Sequence, residues 1–154
     1  MDSLGSLIID SARLLRAAFE RRIAQAGLGL TPGEARALMN IATVDGSRQL
    51  DIAARMGVEP MTLCAYLDKL EALGLVERQQ CSADRRAKRV NLTSASDEMI
   101  CSIRKELNAI LAQATEGLSE EHNRILREAL VVFNANLQAV TPSVMLQTAS
   151  DESR

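Results

Sequence analysis

The sequence has almost no aromatic residues: two Phe, one Tyr and no Trp, 2% of 154 residues. Carbohydrate binding and single-strand stacking both lean on exposed aromatic faces, so this composition argues against both. Histidine is as scarce. His122 is the only one, and it stands beside Glu120 and Glu121 where a helix is expected to begin, a solvated place rather than that of a metal ligand. No serine, cysteine or acid pair has a plausible base partner, so the chain reads as a non-enzyme with no metal and no implied cofactor. The three cysteines, Cys64, Cys81 and Cys101, are far apart and odd in number. That forms neither a disulfide framework nor a zinc site, and it suits a reducing cytosol. No run approaches the ~20 apolar residues that span a bilayer. The opening Met1-Asp2-Ser3-Leu4-Gly5 lacks the basic region of a secretory signal. A cytoplasmic protein without membrane attachment is expected.

What is present is an aliphatic chain, 47% hydrophobic and 25% charged, ordinary values for a folded domain. Its length suits one domain, or one domain with helical extensions. A core of Leu, Ile, Val, Ala and Met fits packed helices. The net charge of −2 conceals an uneven distribution. Between Glu77 and Arg89, five basic residues (Arg78, Arg85, Arg86, Lys88, Arg89) face two acidic ones, so this segment carries +3 and the rest of the chain −5. A short basic element on an acidic body can touch phosphate without making the whole surface adhesive.

Helical spacing dominates the remainder. Ile8, Ala12, Leu15, Phe19 and Ile23 draw one stripe on a helix from about Leu4 to Ala26. Thr31-Pro32-Gly33-Glu34 is a strong start signal: Thr31 can cap, Pro32 fits the first helical position and Glu34 can complete a capping box. That second helix reaches about Val44. Two shorter helices follow, Arg48 to Met56 and Pro60 to about Leu73, with Gly57-Val58 turning between them. The period then changes to that of strands at Leu75–Arg78 and Arg89–Thr93, joined by a polar, basic tract from Gln79 to Lys88: a hairpin with a long tip. Thr93 or Ser94 is expected to cap a helix with Ile100, Ile103, Leu107, Ile110, Leu111 and Ala114 on one face. Ser119 caps a last helix with Leu126, Ala129, Leu130, Phe133 and Leu137. The tail from about 141 to 154 reads as flexible.

Two short helices about a glycine turn, then a basic hairpin, form a helix-turn-helix followed by a wing. The second helix of such a pair lies in the major groove of duplex DNA. Turning Leu63, Leu67 and Leu70 inward leaves Met61, Ala65, Asp68 and Ala72 roughly opposite, with Thr62 and Lys69 flanking and Cys64 at the border. Thr62 and Lys69 can donate to phosphate or base edges, while Met61 and Ala65 can lie against thymine methyls. On the wing, Arg85, Arg86, Lys88 and Arg89, with Arg78 below them, can straddle a phosphate ridge, and Arg86 is the expected minor-groove residue. Asp84 is expected to support the wing by fixing an arginine rotamer through a salt bridge.

Several stretches resemble the MarR family of bacterial regulators in order and spacing. They are Leu30–Glu34, Asp51-Ile52-Ala53-Ala54-Arg55-Met56-Gly57-Val58, Leu67–Arg78, and Asp84-Arg85-Arg86-Ala87-Lys88-Arg89-Val90-Asn91-Leu92-Thr93. The resemblance covers about residues 5 to 138 and is strongest at Asp84 and Arg86. This chain has Ala65 where the family often carries a polar reader, and Cys81-Ser82 where its wing often begins with an acidic residue and proline. The resemblance implies an α+β, mostly α, winged helix-turn-helix. Residues 1–30 and 94–140 would form the helical dimerisation region, with first and last helices interwoven, and 31–93 the DNA-binding lobe. It implies a homodimer on a pseudo-palindromic operator in double-stranded DNA, acting as a repressor. A small-molecule effector, such as a phenolic or other aromatic acid, or an oxidant would release the DNA.

Other readings compete. Cys64 or Cys81 near DNA would suit a redox-responsive regulator if exposed as a thiolate, and Cys101 suits core or interface. A winged helix can also serve as a protein-docking module without DNA binding, which would require an apolar rather than basic wing. Tyr66 is expected to pack with its hydroxyl on a local partner. Arg13 and Arg16 flank the first stripe, where they could be solvated or meet a ligand carboxylate. A long first helix has little to bury against within one chain, and a second copy would solve that.

Overall fold

Helix capping and glycine turns set the boundaries of nearly every element. The computed structural model describes residues 3–140; the 141–154 tail lies outside the described residues. The order is α1 (Leu4–Ala26), α2 (Pro32–Thr43), α3 (Gln49–Met56), α4 (Pro60–Ala72), β1 (Val76–Gln80), β2 (Lys88–Leu92), α5 (Ser96–Ala114) and α6 (Glu120–Val140). Among the described residues this is a mostly helical α+β fold with one two-stranded antiparallel sheet. The chain divides into two compact units, the first through Gln113 and the second from Ala114.

In the first unit, α2 starts with the anticipated capping box. Thr31 Oγ1 accepts from Glu34 N at 3.2 Å and Glu34 Oε2 accepts from Thr31 N at 2.8 Å, with Pro32 at the first helical position. Such a cap contributes about 1 kcal/mol. The turn between α3 and α4 depends on Gly57, at φ 65°. Its N–H donates to Ala54 O and that of Val58 to Ala53 O, each at 3.1 Å, which satisfies the end of α3. α2, α3 and α4 enclose a core in which Leu38, Ile41, Ile52, Leu63, Leu67 and Leu70 are fully buried, joined by Val76 and Val90 from the hairpin. Phe19 and Ile23 of α1, and Ile100, Ile103 and Ile110 of α5, belong to the same core.

The α1 stripe is buried only in its C-terminal half. Phe19 and Ile23 are covered, Ile8 is half-buried, and Ala12 and Leu15 are exposed, as are Leu4, Leu7, Ile9 and Leu14 elsewhere on the helix. α5 begins later than the expected cap. Thr93 Oγ1 donates to Gly74 O at 2.5 Å, and the buried Ser96 hydroxyl donates to Thr93 O at 2.7 Å. Thr93 therefore ties the hairpin's exit to its entrance rather than capping the helix. In the second unit, Ser119 Oγ accepts from His122 N at 3.1 Å at the start of α6. None of the residues of α6 is buried; Ile125, Leu126, Leu130, Val131, Val132, Leu137 and Val140 are all exposed.

Candidate nucleic-acid interface

Leucines determine which face of α4 is free. Leu63, Leu67 and Leu70 are fully buried, which leaves Met61, Thr62, Ala65, Asp68, Lys69 and Ala72 exposed as expected and Cys64 half-buried at the border. Gln49 at the start of α3 donates from Nε2 to Cys64 Sγ at 2.7 Å. Tyr66 packs partly buried against the core. Its ring lies so close to α2 that a Cβ on Gly33 would fall 2.5 Å from the phenol carbon and oxygen. Tyr66 has no hydrogen bond from its hydroxyl among the described residues, contrary to expectation, because that end rests on the Gly33 backbone.

The hairpin pairs Val76 with Leu92 and Gln80 with Lys88, and it is seated on the chain between α2 and α3. Gly46 N donates to Val90 O at 2.9 Å and Val90 N to Ser47 O at 3.0 Å. Leu92 N donates to Asp45 Oδ1 at 2.8 Å. An antiparallel bridge between Arg48 and Arg89 extends this seat, which anchors the wing base to the helix-turn-helix.

The basic residues of the wing divide into two groups. Arg85, Arg86 and Lys88 are exposed and form no ion pair with a carboxylate among the described residues. Arg89 is exposed, but its Nη1 donates to Gly46 O at 2.8 Å. Arg78, expected at the DNA, is held within the protein. Its guanidinium is turned onto α4, with Nη2 2.5 Å from Asp68 Oδ1 and 2.7 Å from Glu71 Oε2, and its side chain is only 16% exposed. The hydrogen bond with Glu71, reinforced by Asp68, raises the Arg78 pKa, and the same bond lowers that of Glu71. Arg78 is a strut between wing and helix.

Asp84 also differs from expectation. Oδ1 accepts from the backbone N–H of Arg86 at 2.9 Å, the short-range turn typical of aspartate. Ala87 N donates to Asp84 O at 3.1 Å and Cys81 N to Ala87 O at 2.8 Å, closing the tip. Asp84 supports the wing through its backbone rather than through an arginine rotamer, since a carboxylate two residues away reaches an N–H more readily than a guanidinium. Cys81 is buried at the base of this tip, away from oxidants, and Cys101 is exposed on α5 rather than in the core.

Between helix and wing lies a crevice of about 400 Å³, with Gln49 and Cys64 on one side and Arg86 and Lys88 on the other. Arg48 lines it too and is exposed. Neither Arg48 nor Gln49 was among the residues expected at this face; the signal available was a cation and an amide at the start of the first helix of the pair. Elsewhere in the first unit, a cleft of about 290 Å³ is lined by Leu15, Arg16, Phe19, Arg36, Met39 and Leu107 among others. Arg13 instead pairs with Asp10 at 3.2 Å on the exposed side of α1.

A helix pair followed by a hairpin seated beside its second helix defines a winged helix-turn-helix. The model of the MarR family matches residues 28–87, from the α1–α2 connection to the wing tip. The fold is similar to the crystal structure of MarR, with a TM-score of 0.76 and 23% identity over 90% of this chain and 95% of that one. It is similar to a MarR-family transcriptional regulator from Silicibacter pomeroyi, with a TM-score of 0.70 and 26% identity over 85% and 87%. It is also similar to CouR from Rhodococcus jostii, solved bound to p-coumaroyl-CoA, with a TM-score of 0.65 and 22% identity over 84% and 89%. Residues 28–87 thus match the MarR family, and the fold is shared with MarR-family transcriptional regulators.

Proposed function

We propose that this protein binds double-stranded DNA as a homodimer and represses transcription from a pseudo-palindromic operator. The observation that carries this reading is the joint presentation of an exposed α4 face and a wing tip whose Arg85, Arg86 and Lys88 have no carboxylate partner among the described residues. A basic wing is wrong for an apolar docking module and right for phosphate. Arg78, held by Asp68 and Glu71, contributes position, while Arg85, Arg86 and Lys88 contribute charge.

Dimerisation is supported by the exposed apolar residues in the first half of α1 and, separately, along α6. Uncovered apolar surface on this scale marks an association site. Residues 1–30 and 94–140 would then serve as the dimerisation region and 31–93 as the DNA-binding lobe. Two copies of α4 about 34 Å apart would meet successive major grooves on one face of the duplex.

The cleft beside Arg16 and Arg36 supports an effector with an aromatic body and a carboxylate, since Leu15, Phe19, Met39 and Leu107 supply an apolar wall. The similar CouR binds p-coumaroyl-CoA, an aromatic acyl ligand. Redox control is less well supported, because Cys81 is buried and Cys64 is engaged by Gln49.

The deciding experiment measures duplex affinity against salt concentration. Binding should weaken steeply as salt rises, through release of counterions. Arg86→Ala should cost ~1–3 kcal/mol. Light scattering on the free protein should give twice the chain mass. A monomer, or a chain that retains no duplex at low ionic strength, would end this reading.

A further inference from the structure

The part of α4 that would meet the bases carries no charged or amide side chain. Its first two turns expose Met61, Thr62 and Ala65, and the only charged residues of the helix, Asp68, Lys69 and Glu71, come later. Two of those three are bound to Arg78. The nearest amide, Gln49, is turned inward, with Nε2 on Cys64 Sγ and Oε1 buried. Met61 is 85% exposed, the most exposed large apolar side chain among the described residues. It cannot rotate inward, because Leu63, Leu67 and Leu70 fix the opposite face in the core.

The N-terminal residues of a recognition helix contact base edges. Hydrogen-bond discrimination there relies on Arg or Lys for guanine and Asn or Gln for adenine. This surface has none of the four. It offers a thioether, a methyl and one hydroxyl, and the complementary feature in the major groove is the C5 methyl of thymine.

We infer that α4 selects its half-site by packing Met61 and Ala65 against thymine methyls. The operator then carries thymine where the first turns of α4 meet the groove, while the wing cations hold the flanking backbone. This inference rests on the duplex-binding reading above and adds to it the class of sequence that is read.

The test uses duplexes selected from a random pool by the purified full chain. Each thymine of the selected half-site is replaced singly by deoxyuridine, which removes the methyl and keeps every hydrogen-bonding group. Losing a contacted methyl is expected to weaken binding about three- to fivefold, the equivalent of one buried methylene. The loss should fall at one or two positions per half-site. Met61→Ala should remove the sensitivity at one of them and leave the other intact, and its exposure means the fold is kept. Uracil tolerated at every position, or a selected half-site with no thymine, overturns methyl readout while duplex binding stands. A wild-type chain that selects no duplex at low salt overturns the duplex-binding reading itself, and this inference with it.

Discussion

Arg78 on β1 and Asp68 on α4 meet at 2.5 Å, and Glu71 one helical turn on takes the same guanidinium at 2.7 Å. Wing and recognition helix are thus locked together by a cation that pairs with both carboxylates and offsets half of their charge on the face proposed to approach phosphate. Arg78→Ala should weaken duplex binding several-fold, because two uncompensated negative charges would remain on α4. Adding Asp68→Asn and Glu71→Gln to the same chain should restore most of the loss. Anisotropy titrations of the variants close the cycle. An Arg78 that contacted phosphate itself would show no rescue.

The same bond has a pH signature. Because Arg78 lowers the pKa of Glu71 in the folded chain, its stabilisation is fully present above the ordinary glutamate range. It is lost as pH falls through the lowered folded value. Glu71 and Asp68 are substantially exposed, so the network is worth only about 1 kcal/mol. Urea denaturation should therefore find Glu71→Gln less stable than wild type at pH 7 and indistinguishable from it at strongly acidic pH. A gap that persists unchanged into acid would assign the stability to something other than this pair.

Asp84 separates two roles that charge alone would confuse. Its Oδ1 holds the Arg86 N–H at 2.9 Å, a bond that an amide oxygen can also make. Asp84→Asn should keep duplex affinity close to wild type, whereas Asp84→Ala should reduce it by about 1 kcal/mol, the net worth of one hydrogen bond. Equal losses in both variants would restore the salt-bridge role anticipated from sequence.

Gly33 is required by contact rather than by backbone conformation. A methyl there would stand 2.5 Å from the Tyr66 ring, so the ring would have to leave its place against α2. Gly33→Ala should destabilise the chain by ~1–3 kcal/mol, the usual cost of overpacking. Combined with Tyr66→Ala, it should cost far less than the sum of the single changes. Thermal melts of the three variants provide the check, and simple additivity would mean that the two residues do not conflict.

These relationships mark the boundary of what the sequence discloses. Thr31 with Glu34, the Gly57 turn and the Leu63–Leu67–Leu70 stripe are local patterns, and each appears in the structure where spacing places it. The strut at Arg78 and the wing seat at Asp45 and Gly46 join residues distant in sequence, for which periodicity offers no signal. Arg78 illustrates the limit best. In the sequence it is one of five cations in a basic segment, and only the packing of β1 beside α4 separates it from Arg85 and Arg86. Asp84 failed for a different reason. Adjacent arginines suggested a side-chain partner, while the tight tip placed a backbone N–H nearer.

The apolar side of α6 allows a last, independent test. Leu126 and Leu130 lie four residues apart on the stripe that includes Phe133 and Leu137, and both leucines are more than 40% exposed. Residues four apart share a helix face, so a pair of glutamates there would interrupt any surface against which a second copy packs. Neither position is buried within the described residues, so the chain should keep its helix content. We expect Leu126→Glu with Leu130→Glu to move the mass in light scattering from two chains toward one. Duplex affinity should then fall at least a hundredfold, because a single lobe retains only half of the contacts and loses the effective concentration that pairing gives. A variant that remains dimeric and binds normally would place the association surface elsewhere, and the exposed leucines and isoleucine of early α1 would be the next to change.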